Sequence, residues 1–138
     1  MHVRDGMSSL VLTVGPDHTL RSASELMSRR NVGAAVVMDS DQPGPGIITE
    51  RDILHAVGGG EDLDSERVGN HLTRDVVFAE PNWSLEYAAA EMCKGNFRHL
   101  IVVDDGDVVG VLSVRDIVRC WTSDGATSEM DAVGRSAG

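Results

Sequence analysis

The chain writes one pattern twice, so its fold must hold two copies of one unit. Displacing the first half by 65 residues sets Val3 on Val68, Pro16 on Pro81, Leu20 on Leu85 and Ala23 on Ala88. Met27, Asn31, Val37 and Asp39 fall on Met92, Asn96, Val102 and Asp104 in the same register. Within Ser40-Asp41-Gln42-Pro43-Gly44-Pro45 the first copy carries one extra residue, and the offset becomes 64. Gly46, Arg51, Asp52 and Ile53 then fall on Gly110, Arg115, Asp116 and Ile117. A Pro/Gly turn absorbs such a slip easily, because loop closure costs little more for one added residue.

Each copy reads alike. An opening turn (Val3 to Met7, Val68 to Leu72) leads to a short apolar strand, Val11 to Val14 and Val76 to Ala79. Pro16-Asp17 and Pro81-Asn82 are turn pairs, and Thr19 and Ser84 are N-cap residues for the helices that follow. Leu20, Ala23, Leu26 and Met27 form one helical face, matched by Leu85, Ala88, Ala89 and Met92. Asn31 and Asn96 stand where a left-handed residue ends a helix. Two strands follow, Ala34 to Met38 with Gly46 to Ile48, and Leu100 to Val103 with Val108 to Leu112. The second pair is joined by the hairpin signal Asp105-Gly106. Last comes a short helix, Thr49 to Val57 or Ser113 to Trp121. The expected fold class is α+β, with two pseudo-twofold-related repeats of strand-helix-strand-strand-helix packed sheet to sheet. Repeat 1 spans 1–57, a flexible Gly-rich acidic linker 58–67 and repeat 2 68–121, while the tail 122–138 lacks apolar periodicity and is expected to be disordered.

A half of about 60 residues buries only about 60% of its unfolded surface, so each repeat is expected to lean on its twin. The formal charge of −10 argues against nucleic acid or an anionic membrane as a main partner. No apolar run reaches membrane-spanning length and no signal-peptide core opens the chain, so a cytoplasmic protein is expected. Cys93 and Cys120 have no metal-type spacing and read as reduced, buried residues. His2, His18, His55, His71 and His99 likewise lack metal spacing. Trp83, just before Ser84, reads as a hydrophobic staple, and Trp121 as packing on the last helix or on a second copy. No nucleophile or paired-acid motif stands out, so an enzyme is not expected.

The chemistry that remains is the doubled turn Gly-apolar-apolar-hydroxyl-x-x-Asp, at Gly46 to Asp52 and Gly110 to Asp116. One reading is structural: Thr49 with Asp52, and Ser113 with Asp116, form reciprocal capping boxes worth about 1 kcal/mol each. The other is a ligand site. A helix N-terminus offers N–H groups and a hydroxyl to phosphate, while an ionised carboxylate accepts both hydroxyls of a cis-diol such as ribose.

From Val3 to Trp121 the sequence resembles a tandem pair of CBS domains, a Bateman module. The resemblance rests on Val3-Arg4-Asp5-Gly6-Met7, Gly46-Ile47-Ile48-Thr49-Glu50-Arg51-Asp52, Phe97-Arg98-His99-Leu100-Ile101-Val102-Val103-Asp104 and Gly110-Val111-Leu112-Ser113-Val114-Arg115-Asp116. It implies adenosine-nucleotide binding in two clefts between the repeats, with hydroxyls Thr49 and Ser113 near phosphate and Asp52 and Asp116 on ribose. It also implies a flat dimer of two modules, and the apolar helices after Thr49 and Ser113 point to a homodimer as well. Family members that bind nucleotides often carry a basic residue before the second strand. Here the second repeat has Arg98 and His99, and the first only Gly33 and Ala34. The basic pair is either a phosphate contact, at its own turn or the other repeat's, or a solvated strand edge. Arg51 and Arg115 either face phosphate or lie exposed on their helices.

The expected function is therefore regulatory. AMP, ATP or another adenosyl compound would bind as effector, with no required cofactor, and the state would pass to a separate effector protein. The alternative is a ligand-free dimerisation module in which the turns are only caps.

Overall fold

The computed structural model describes residues 1–123, so most of the tail expected to be disordered, 124–138, lies outside the described residues. The elements run α1 (Val3–Gly6), β1 (Thr13–Val14), α2 (Leu20–Arg30), β2 (Ala34–Val37), β3 (Gly46–Thr49) and α3 (Glu50–Gly58). A 3-10 turn at Val68–Asn70 opens the second series: β4 (Phe78–Ala79), α4 (Leu85–Gly95), β5 (His99–Asp104), β6 (Asp107–Ser113) and α5 (Val114–Ser123). The order within each repeat is the expected one, and the mixed α+β class holds. The first strands are shorter than the apolar runs suggested, and α5 runs two residues past Trp121.

Each repeat supplies a three-stranded sheet, β1-β2-β3 or β4-β5-β6. The first strand lies parallel to the second and the second antiparallel to the third. The parallel pair needs a crossover, and α2 and α4 provide it. Thr19 and Ser84 cap these helices as expected, accepting from the Ser22 and Tyr87 N–H groups at 3.1 and 3.0 Å. Asn31 and Asn96 end them in the left-handed region, with φ of 54° and 58°. Asp105 and Gly106 both have positive φ, as a two-residue hairpin turn requires.

Two compact units result, and they do not follow the sequence repeats. Among the described residues, one unit joins Met1–Ser9 to the chain from Val77 onward, and the other is Leu10–Val76. The opening turns are thus exchanged. Val3 is buried with Leu85, Leu100, Leu112 and Ile117, and Val68 with Leu20, Val37 and Ile48. Burying a leucine such as Leu20 or Leu85 completely contributes about 1.5–3 kcal/mol. The exchange also seals helix starts. The Leu20 and Arg21 N–H groups donate to the carbonyls of Glu66 and Leu63, and the Leu85 N–H donates to that of Met1. The Gly-rich linker is therefore hydrogen-bonded along its course, and Arg21 pairs with Asp64 within it.

Side chains alternate across each strand, so Ala35 and Val37 face α2 while Val36 lies on the opposite sheet face, and both faces are buried. Cys120 is buried as expected, but Cys93 is exposed. Cys93 lies on the outer face of α4, one residue past the core residue Met92. Trp83 packs edge-to-face on Tyr87, with ring centroids 4.5 Å apart, at the start of α4. Among the described residues, no helix is long and apolar enough to cross a membrane.

Candidate ligand site at the two hydroxyl–x–x–Asp turns

Both turns form where the third strand of a sheet runs straight into a helix. Thr49 ends β3 with extended backbone and caps α3. Its N–H donates to Asp52 Oδ2 at 2.8 Å, and the Asp52 N–H returns a bond to Thr49 Oγ1 at 3.3 Å. In the second repeat the Ser113 N–H donates to Asp116 Oδ2 at 2.8 Å, and the Asp116 N–H to Ser113 Oγ at 3.0 Å. The capping boxes read from the sequence are present in both copies.

The caps use helix donors that a phosphate would otherwise find. The first N–H of α3, from Glu50, donates to the Gly33 carbonyl at 2.9 Å. The Val114 N–H of α5 donates to the Arg98 carbonyl at 2.9 Å. Two donors of each first turn are therefore already satisfied inside the protein. An anion can reach them only by displacing a protein acceptor.

The carboxylates are also held on their outer oxygens, and here the copies diverge. Asp52 Oδ1 accepts from Thr73 Oγ1 at 3.3 Å. Asp116 Oδ1 instead accepts from Arg119 Nη2 at 2.5 Å. The arginine is largely exposed, with 63% of its side chain open to solvent, against 13% for Asp116. Sequence reading singled out neither Thr73 nor Arg119. Thr73 lies 21 residues from Asp52, and no local pattern signals the pairing. Arg119 follows Asp116 by three positions, the spacing at which helix side chains meet, so that signal was available.

The motif glycines have a packing reason. The segment after each opening turn runs beside the third strand, where Thr73 and Ile47 exchange backbone hydrogen bonds of 2.8 and 3.0 Å. Ser8 and Val111 exchange the matching pair at 2.9 and 3.0 Å. A Cβ on Gly46 would meet Leu72 Cδ1 at 2.5 Å and the Thr73 carbonyl oxygen at 3.0 Å. On Gly110 it would meet Met7 Sδ at 2.7 Å and the Ser8 carbonyl oxygen at 2.9 Å.

Register brings the basic pair to its own turn. His99 lies opposite Ser113 across the β5–β6 ladder, and Arg98 precedes it. In the first repeat Ala34 lies opposite Thr49. Beside it, the Glu50 carboxyl lies so close to Gly33 that a Cβ there would meet it at 3.2 Å. Glu50 is a site residue missed in the sequence, since its position falls on the apolar Val114 of the other copy. Arg98 and Arg115 are exposed, whereas His99 and Arg51 are half-buried.

A doubled strand-to-helix turn carried on two exchanged α+β units defines a tandem-repeat α+β module. The chain belongs to the CBS-domain family, whose model matches residues 3–59 and again 68–122. The CBS domain-containing protein YhcV of Bacillus subtilis is 34% identical over 116 residues, covering 83% of this chain and 81% of that protein. Protein MJ1225 of Methanocaldococcus jannaschii is 32% identical over 128 residues, 93% of this chain. The chain spans only 45% of that relative's length. Among solved structures, the CBS domain protein PAE2072 from Pyrobaculum aerophilum, complexed with AMP, matches with a TM-score of 0.75 at 29% identity. That match covers 84% of this chain and 89% of PAE2072.

Proposed function

We propose that this protein is a regulatory module that takes an adenosine-containing ligand of the AMP or ATP class at its hydroxyl–x–x–Asp turns and signals the bound state to a partner protein. The observation that carries this reading is the pairing, in both copies, of a cap hydroxyl with a largely shielded aspartate at a helix start. An ionised carboxylate so placed accepts from both hydroxyls of a ribose diol. Arg98, next to the His99 that lies opposite Ser113, supplies positive charge in the second copy. The AMP bound by a relative of 29% identity supports the same ligand class.

Titration calorimetry with AMP, ATP and adenosine tests it, on the parent and on Asp116→Ala. The variant should lose most affinity at one site and about 1 kcal/mol of stability from the broken cap. In the parent, a ligand at a hundred times its Kd should add about 2.7 kcal/mol to unfolding. Undiminished binding by Asp116→Ala would remove the aspartate from the site.

One observation favours a second reading, the ligand-free homodimer. Both oxygens of Asp52 and of Asp116 already have protein partners. Meanwhile α3 and α5 leave Leu54, Val57, Val118 and Trp121 exposed. A stable dimer in sedimentation at micromolar concentration, with no thermal shift from any adenosine ligand, would select this reading. A monomer under all conditions would reject a helix-mediated dimer.

A further inference from the structure

We propose that Arg119 is a built-in competitor for the Asp116 carboxylate. The second turn then binds an uncharged ribose diol more weakly than the first, and binds it better as ionic strength rises. This rests on the reading that the turns take adenosine ligands.

The two copies share the reciprocal cap, to which the first adds a neutral bond from Thr49 Oγ1 to Asp52 Oδ2 at 3.0 Å, so the difference in charge lies at the outer carboxylate oxygen. At the first turn that oxygen accepts one long, neutral hydroxyl bond from Thr73. A hydroxyl of the ligand can replace a hydroxyl of the protein with little change in charge. At the second turn the oxygen holds a guanidinium at 2.5 Å, a charge-assisted bond of the stronger kind. A neutral diol that takes both carboxylate oxygens must crowd or displace that cation, and the diol returns no charge to the carboxylate. The position matching Arg119 in the first copy is His55, and no bond from it to Asp52 takes the cation's place.

The size of the effect follows from exposure. Arg119 is mostly in solvent, and exposed ion pairs of this spacing are weak. Removing the competitor should therefore tighten adenosine binding at the second turn by about two- to fivefold. Salt screens an exposed pair, so the parent's second site should gain adenosine affinity as salt is raised. That sign is unusual, because salt ordinarily weakens nucleotide binding. Adenosine has no charge of its own for salt to screen.

The test is adenosine titration followed by amide NMR, reading Ser113 and Thr49 separately, at low and high salt. The Ser113 N–H donates directly to Asp116 and so reports that carboxylate. Parent, Arg119→Ala and Arg119→Lys are compared. The expected result is tighter, salt-insensitive binding at Ser113 in Arg119→Ala, with Thr49 unchanged and Arg119→Lys close to the parent. Binding at Ser113 that is equal in the parent and Arg119→Ala, with the same salt response, overturns the competitor. No adenosine response at either amide in any variant overturns the competitor, and silence to AMP and ATP as well overturns the ligand reading itself.

Discussion

Alanine at Gly110 separates a glycine kept for packing from one kept for ligand approach. The added methyl would lie 2.7 Å from Met7 Sδ and 2.9 Å from the Ser8 carbonyl oxygen. The thioether is flexible and can move aside. The carbonyl cannot move freely, because it accepts from the Val111 N–H at 3.0 Å while the Ser8 N–H donates to the Val111 carbonyl at 2.9 Å. Relief therefore requires shifting the backbone of the crossing segment or breaking that pair. Overpacking of this kind costs about 1–3 kcal/mol. Losing both hydrogen bonds instead would cost about 1–3 kcal/mol, so either route gives the same range. Gly58→Ala is the control: it closes α3 with nothing within 4 Å of its Cβ, and should gain up to about 1 kcal/mol. Urea unfolding of the ligand-free protein measures both. A glycine needed only for ligand approach would leave the free protein's stability untouched. A Gly110→Ala midpoint equal to the parent's would therefore refute the packing account.

Gly46→Ala should behave like Gly110→Ala, since Leu72 and the Thr73 carbonyl crowd that position in the same way; a stable Gly46→Ala would show that the copies are not equivalent there. Asp5 is held below its ordinary value, first by the backbone hydrogen bond from the His2 N–H at 2.8 Å. With the folded value lowered, its contribution is present above 3.8, the ordinary value, and is lost as pH falls through the folded one. Asp5→Asn should therefore lose less stability than the parent in urea unfolding below about pH 4, and parallel curves would discount the bond. Arg98→Ala should weaken AMP and ATP far more than adenosine, and Glu50→Gln should strengthen AMP at the first turn, both read by calorimetry. Two equal sites, indifferent to either change, would reject a charge difference between the turns.

Much of the fold is legible in the sequence because local chemistry specifies it. Thr19, Ser84, Asn31, Asn96 and Asp105-Gly106 act through their own backbone, and each does what its residue type dictates. The doubled turn is legible for the same reason, since Thr49 and Asp52 bond to one another across three residues. The exchange of opening turns is not legible, because Val3 and Val68 present the same apolar side chain to either core. Period and composition cannot say which core takes which turn. Thr73 at Asp52 is hidden by sequence distance, and Glu50 against Gly33 by a difference between the copies that the alignment passes over. The exposed Cys93 shows the limit of composition: cysteine is usually buried, but one step along a helix from Met92 turns a side chain outward.

Duplication supplies two similar backbones, and around the two turns three of the differences between them change charge. Where the first turn has Gly33, Glu50 and His55, the second has Arg98, Val114 and Arg119. The changes at these three positions run in one direction, removing an anion from the second turn and adding cations to it. In a chain of net charge −10 the surrounding field opposes any phosphate, so such local cations decide where an anionic ligand can settle. Arg119 then acts twice under the proposed function. Its charge favours a phosphorylated ligand at the second turn, while its bond to Asp116 opposes a ligand that brings only the ribose diol. The first turn has no counterpart of Arg98 or Arg119, and its Glu50 carboxylate repels phosphate. Under the proposed function, one scaffold written twice would offer a turn suited to bare nucleosides and a turn suited to phosphorylated ones, with the same aspartate at the centre of each.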